Sequence, residues 1–183
     1  MARRRRVGLS SRDLAELSRE IHAQAQGIRG GATAGAVRLC EEVGLPAATK
    51  ACRSTTVAAT IHVERTPRGA ALVAEGERAS YEEFGVGVIG LRKGFQSALD
   101  AEAAAASGYE IDGMGHGEKG WNYLGEDGKW HWTKGRAGSA YMAKAAEAMR
   151  REGAAVTMRE IANANRQHFR EISPGNGMAG PAK

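Results

Sequence analysis

Aromatic side chains are scarce: three Trp, four Tyr and three Phe in 183 residues. The core must therefore be built largely from Ala, Val, Leu, Ile and Met. Cysteine is scarcer still. Cys40 and Cys52 are the only two, which excludes a disulfide framework and a cysteine-based metal motif. They read as small buried apolar residues of a reducing compartment. No apolar run approaches the ~20 residues that span a bilayer, so no membrane partner is expected. The basic N-terminus is followed by no apolar segment, so no signal peptide is expected either.

What is present is glycine (25 residues), an ordinary hydrophobic fraction of 42% and a net charge of +5. The length suits one domain with arms. Arg3, Arg4, Arg5 and Arg6 carry four of the five net charges. The high basicity thus describes an N-terminal arm (residues 1–10), expected to be solvated, that could touch DNA or an acidic partner. Pro174, Gly175, Gly177, Gly180 and Pro181 mark residues 173–183 as a flexible tail. Residues 11–172 are the expected folded domain.

Within it, Ser10 or Ser11 can cap a helix whose Leu14, Leu17, Ile21 and Ile28 recur at helical spacing. Gly27, Gly30 and Gly31 weaken its far end. A second helical stretch runs from Thr33 to Val43 and is interrupted by Gly44 and Pro46. The β-branched run Thr56–Glu64 predicts a strand, Thr66-Pro67-Arg68-Gly69 a turn, and Ala70–Glu75 a returning strand. Ala98–Ala106 predicts a helix. Glycines 108, 113, 115, 117 and 120 make Tyr109–Gly120 a long loop. Asp127-Gly128 between two aromatic segments, Trp121–Leu124 and Lys129–Thr133, predicts a hairpin. Five of the ten aromatics, Tyr109 to Trp132, crowd there, as in a packed platform or an interface. Tyr141, Met142, Ala145 and Met149 form a helical stripe ending near Gly153. Thr157, with Glu160 at the capping-box position, can start another helix. The fold class is α+β: a small, mainly antiparallel sheet packed against N-terminal and C-terminal helices, with a long Gly-rich loop and an aromatic hairpin.

Three elements then stand in order. Ala79-Ser80-Tyr81-Glu82-Glu83-Phe84-Gly85-Val86-Gly87 follows the first hairpin. Gly120-Trp121-Asn122-Tyr123 and Trp132-Thr133-Lys134-Gly135 form the second, and Tyr141-Met142 opens the last helix. Together they resemble the tail-completion (neck) family of long-tailed lambdoid bacteriophages over roughly Leu14 to Phe169. The matching positions are Tyr81, Glu83, Phe84, Gly85 and Gly87, then Trp121, Tyr123, Trp132, Thr133 and Gly135, then Tyr141 and Met142. One departure is Ala137-Gly138-Ser139-Ala140-Tyr141, where many relatives have a proline-phenylalanine pair before the last helix. Read from residue types alone, Tyr81 and Phe84 share a face of a helical turn and plug a core. Glu83 needs a cation or backbone amides if buried, and Gly85 and Gly87 permit positive φ.

The resemblance implies a structural virion protein, not an enzyme, forming a homo-oligomeric ring, a hexamer, that completes the tail and joins it to the head connector. It implies a head-completion or connector protein and a tail terminator or tail tube protein as partners, DNA in the lumen, and no cofactor. The chain would be made in the host cytoplasm and reside in the virion neck. Tyr109, Ile111, Met114, His116 and Trp130 are the candidate interface residues, because their loop and hairpin hold half of the aromatics. A tail terminator, and a small DNA-binding protein using the Arg arm, are the alternatives. A metal hydrolase using His116, Glu118 and His131 is disfavoured: these residues lack HExxH spacing and a cysteine partner, and the first two read as exposed loop polars. Gly113-Met114-Gly115-His116-Gly117 lacks the Gly-Lys-Ser/Thr ending of a phosphate loop.

Overall fold

A computed structural model of the chain describes residues 11–125 and 127–172, with side-chain burial for 14–125 and 127–167. The Arg3–Arg6 arm and the 173–183 tail lie outside the described residues. The fold is α+β. Its β structure is divided among three two-stranded antiparallel ribbons: β1 (His62–Thr66) with β2 (Gly69–Val73), β3 (Gly85–Val86) with β6 (Arg136–Ala137), and β4 (Trp121–Leu124) with β5 (Trp130–Thr133).

Helix α1 runs unbroken from Ser11 to Leu39, continues through a π-helical turn, Cys40–Gly44, and leads into α2 (Leu45–Ala51). The expected break at Gly27–Gly31 is absent. Helix α7, Tyr141–Ile172, is likewise single, passing through Gly153 and Thr157. The two helices explain each other. A Cβ on Gly27 would meet Asn165, one on Gly31 the Cα of Ile161 at 2.5 Å, and one on Gly35 the Cα of Thr157 at 2.9 Å. Leu39 likewise reaches Gly153, and Met149 fills the space beside Gly44. These contacts step four residues down one helix and four up the other, so α1 and α7 pack antiparallel with backbones in contact. Glycine in mid-helix costs about 1 kcal/mol relative to Ala; close contact along the seam offsets it.

One shorter segment also departs from expectation. Thr55–Ala58 is a helical turn (α3), because the Ser54 hydroxyl accepts from Val57 N and caps it. The strand begins only at His62, pairing Val63 with Leu72. After α4 the chain forms β3 and then a short helix, α5 (Gly87–Lys93). The remaining helices are α4 (Glu77–Phe84) and α6 (Ala98–Ser107). Val57 and Ile61 close the core with Ala48, Ala79, Tyr141 and Ala145, and Cys40 is also buried.

Candidate functional site

The last turn of α4 sets the geometry. Tyr81 and Phe84 lie on one face, with ring centroids 6.2 Å and 5.1 Å from that of Tyr109. Phe84 is buried and also meets Phe95 edge-on, while Tyr81 keeps 36% of its surface exposed. The Tyr109 hydroxyl donates to the Gly85 carbonyl at 2.6 Å. Burial pushes that phenol up to about 12, so it stays a donor at neutral pH.

Glu83 turns the other way. Its two oxygens accept from Met142 N at 2.8 Å and Ala143 N at 2.9 Å, satisfying open amides in the first turn of α7. The chain enters α7 through Ser139 N and Ser139 Oγ, which donate to Glu82 O, and Ala140 N, which donates to Glu83 O. Ala140 sits at φ +52. The departure from the proline-phenylalanine pattern is thus accommodated by a turn tied to α4. Burial, and secondarily the neighbouring Asp100 carboxyl, push Glu83 up to about 7 against the pull of the two amides. Both oxygens of Asp100 are buried without a protein hydrogen bond, and its carboxyl is a like charge that favours the protonated form of Glu83.

Glu82 is wholly buried between two arginines. Arg53 N donates to Oε1 at 2.9 Å. Arg136 Nη2 lies 2.7 Å from Oε2, an ion-pair contact rather than an aligned hydrogen bond.

The glycines of the motif close this corner. Gly85, Gly87 and Gly135 have φ of +92, +67 and +89. A Cβ on Gly87 would meet the Trp121 ring at 2.6 Å, and one on Gly135 would run into the Val86 carbonyl. Thr133 Oγ1 accepts from Gly135 N at 2.9 Å, and Tyr141, fully buried, donates its hydroxyl to Ala79 O. The three motif elements, 79–87, 120–135 and 141–142, therefore meet at one place, with Met142 packed against the core.

A cleft of about 940 Å³ opens beside this corner, walled by α4, the 109–116 loop and the inner face of the β4–β5 hairpin. Trp121 and Tyr123 alternate onto that inner face, with Thr133 and His131 as their cross-strand partners. Each histidine is held by an aspartate four residues earlier. His116 Nδ1 is 3.1 Å from Asp112 Oδ1, and His131 Nε2 is 2.9 Å from Asp127 Oδ1. The His116 ring stacks on Trp121 with centroids 3.9 Å apart. His116 is thus not the exposed loop polar expected: its side chain is only 19% exposed. Glu118 is exposed and paired with Arg92. Among the described residues, the three-donor group compact enough for a metal ion is elsewhere, at His62, Glu64 and Glu75.

The opposite face of the hairpin points to solvent. Leu124, Trp130 and Trp132 are 55%, 72% and 59% exposed, and Trp130 stands directly across from Leu124. Of the candidate interface residues, Trp130 and Met114 are exposed, whereas Tyr109 and His116 are half-buried cleft wall. Ile111 is buried and its carbonyl accepts from Gly87 N, so it is a packing residue.

Glu82, Asp100, Arg136 and the Asp127–His131 pair carry no sequence expectation. A signal for the last did exist: Asp-Gly-x-x-His occurs twice, at 112–116 and 127–131. The buried carboxylates have no comparable local sign. No protein-family profile, curated protein or solved structure matches this chain.

Proposed function

We propose that this chain is a structural subunit of the neck of a long-tailed bacteriophage, assembling with itself into a ring, a hexamer on the sequence resemblance, that completes the tail and joins it to the head connector. The observation that carries this reading is the outer face of the β4–β5 hairpin. Two tryptophans and a leucine stand exposed on a two-stranded ribbon. Tryptophans are hot-spot residues of protein interfaces, and an exposed apolar patch marks a contact surface. The convergence of the three motif elements supports it too, since the resemblance is carried by residues that jointly build one scaffold.

The mechanism needs no catalysis. Each subunit buries this patch against a different surface of its neighbour, and head-to-tail contacts repeated around a closed ring reinforce one another. The purified full-length chain should form a discrete closed oligomer by mass photometry. Trp130→Ala with Trp132→Ala should return it to monomer with an unchanged far-UV spectrum. A wild-type chain that stays monomeric at tens of micromolar sinks the reading. Deleting Gly113–Gly117 should leave a folded subunit that fails to join heads to tails.

A further inference from the structure

The cleft has the chemistry of a receptor for cationic side chains. Tyr81 and Tyr123, the exposed rings of its wall, supply ring faces, which attract guanidinium groups. Glu77, Glu110, Asp112 and Asp127 supply carboxylates. They outnumber the lining guanidinium groups, Arg78 and Arg136, four to two, and Arg136 is already committed to buried Glu82. Hydrogen bonds from His116 and its backbone hold the Asp112 carboxyl below the usual range against its desolvation, and His131 does the same for Asp127. Both therefore stay charged at neutral pH.

The chain also carries a matching ligand. Arg3-Arg4-Arg5-Arg6 is a compact cationic run lying outside the described residues. It cannot reach the cleft of its own subunit. Ser11 begins a 29-residue helix, which at 1.5 Å per residue places the far end about 42 Å away. The cleft lies at that far end, beside the start of α7, where Ser54, Tyr81 and Arg136 line it. From Ser11 back to Arg6 is five residues and back to Arg3 eight. In any conformation these span at most about 18 Å and about 29 Å.

We propose that the Arg3–Arg6 segment of one copy docks into the aromatic, carboxylate-lined cleft of a second copy. Guanidinium groups stack on Tyr81 and Tyr123 and pair with Glu77, Glu110 and Asp127. The contact links subunits in trans, because the long first helix carries the arm away from its own cleft. It rests on the self-association part of the neck reading and on nothing else about phage.

The test uses the full chain with Arg3–Arg6 all replaced by Ala as receptor, so that its own arms do not compete. The probe is a fluorescent peptide of residues 1–10. Saturable binding is expected, weakened at least tenfold by Glu77→Lys with Glu110→Lys. Both positions are on the surface, and an unchanged far-UV spectrum confirms folding. A peptide with Arg3–Arg6 replaced by Glu should reverse the preference and bind the Lys variant better. Absent binding, or binding indifferent to the two lysines, overturns the proposal. So does a wild-type arm that engages a DNA duplex while the peptide ignores the cleft. Whether the Ala-substituted receptor still forms a ring is scored separately by mass photometry. A failure of ring formation and a failure of arm docking are thereby distinguished.

Discussion

The α1–α7 helical pair and the corner beside the cleft both depend on glycine, in opposite ways. In the pair, Gly27, Gly31 and Gly35 keep ordinary helical backbone, and what matters is the missing side chain, which lets two helices touch along their backbones. In the corner, Gly85, Gly87 and Gly135 sit at positive φ, and both the backbone conformation and the missing side chain matter. The pair can respond to an added methyl by separating slightly over a long, shallow contact. The corner has no such freedom, because β3, β6, the Trp121 ring and the entry to α7 are fastened to one another.

Substitution at the two places should therefore differ in size. Gly135→Ala places a methyl against the Val86 carbonyl at φ +89. It should cost more than about 3 kcal/mol in urea denaturation, the sum of backbone strain and a forced opening of the β3–β6 ribbon. Gly31→Ala meets the Ile161 backbone at 2.5 Å but recovers about 1 kcal/mol of helix propensity. Its net cost should be about 1–2 kcal/mol. Equal losses, or a larger loss at Gly31, would break the distinction between a yielding seam and a rigid corner.

How far the sequence disclosed these two regions follows from the range of the interactions. The α+β class, the two hairpins and the helical ends of the chain are written in local periodicity and turn chemistry, and they can be read directly. The continuity of α1 through Gly27–Gly31 cannot, because those glycines act as breakers until a second helix 130 residues later is known to lie on them (Gly31 against Ile161, 161 − 31 = 130). Thr55–Val57 has strand-forming residue types, yet one serine hydroxyl at position 54 suffices to turn it into helix. At the cleft, Glu83 announces its need for backbone amides because it sits between Tyr81 and Phe84 in a turn that must bury something. Adjacent Glu82 looks like solvated helix surface, and its burial depends on Arg53 and Arg136, 29 and 54 residues away (82 − 53 and 136 − 82). Asp100 is hidden for a similar reason: its helix is alanine-rich and looks featureless, and the group it faces lies on α4.

That last pair sharpens the contrast, because the corner stores charge as well as backbone strain, and the helical pair has no such buried carboxyls among its described residues. The folded-state value of Glu83, raised to about 7 from 4.5, means the native protein keeps a proton that the unfolded chain releases. The stability associated with that proton is fully present below about pH 4.5 and is lost as pH rises through about 7. Asp112 and Asp127, both held low, act in the opposite sense: their contribution is present above the ordinary carboxyl range and lost only in stronger acid, below this window. His62, raised chiefly by its hydrogen bond to the Thr60 carbonyl, loses its contribution as pH rises, as Glu83 does, but it lies on β1 and is unaffected by changes at position 100. Asp100→Asn removes the like charge and offers Glu83 an amide donor. The difference in stability between Asp100→Asn and wild type should therefore grow in favour of the variant between pH 5 and pH 8. It should grow by about 1 kcal/mol, well under the full linkage value of such a shift, since local relaxation and water entry soften it. Urea midpoints at the two pH values read this directly. Parallel pH curves for the two proteins would show that Asp100 does not contribute to the raised value of Glu83.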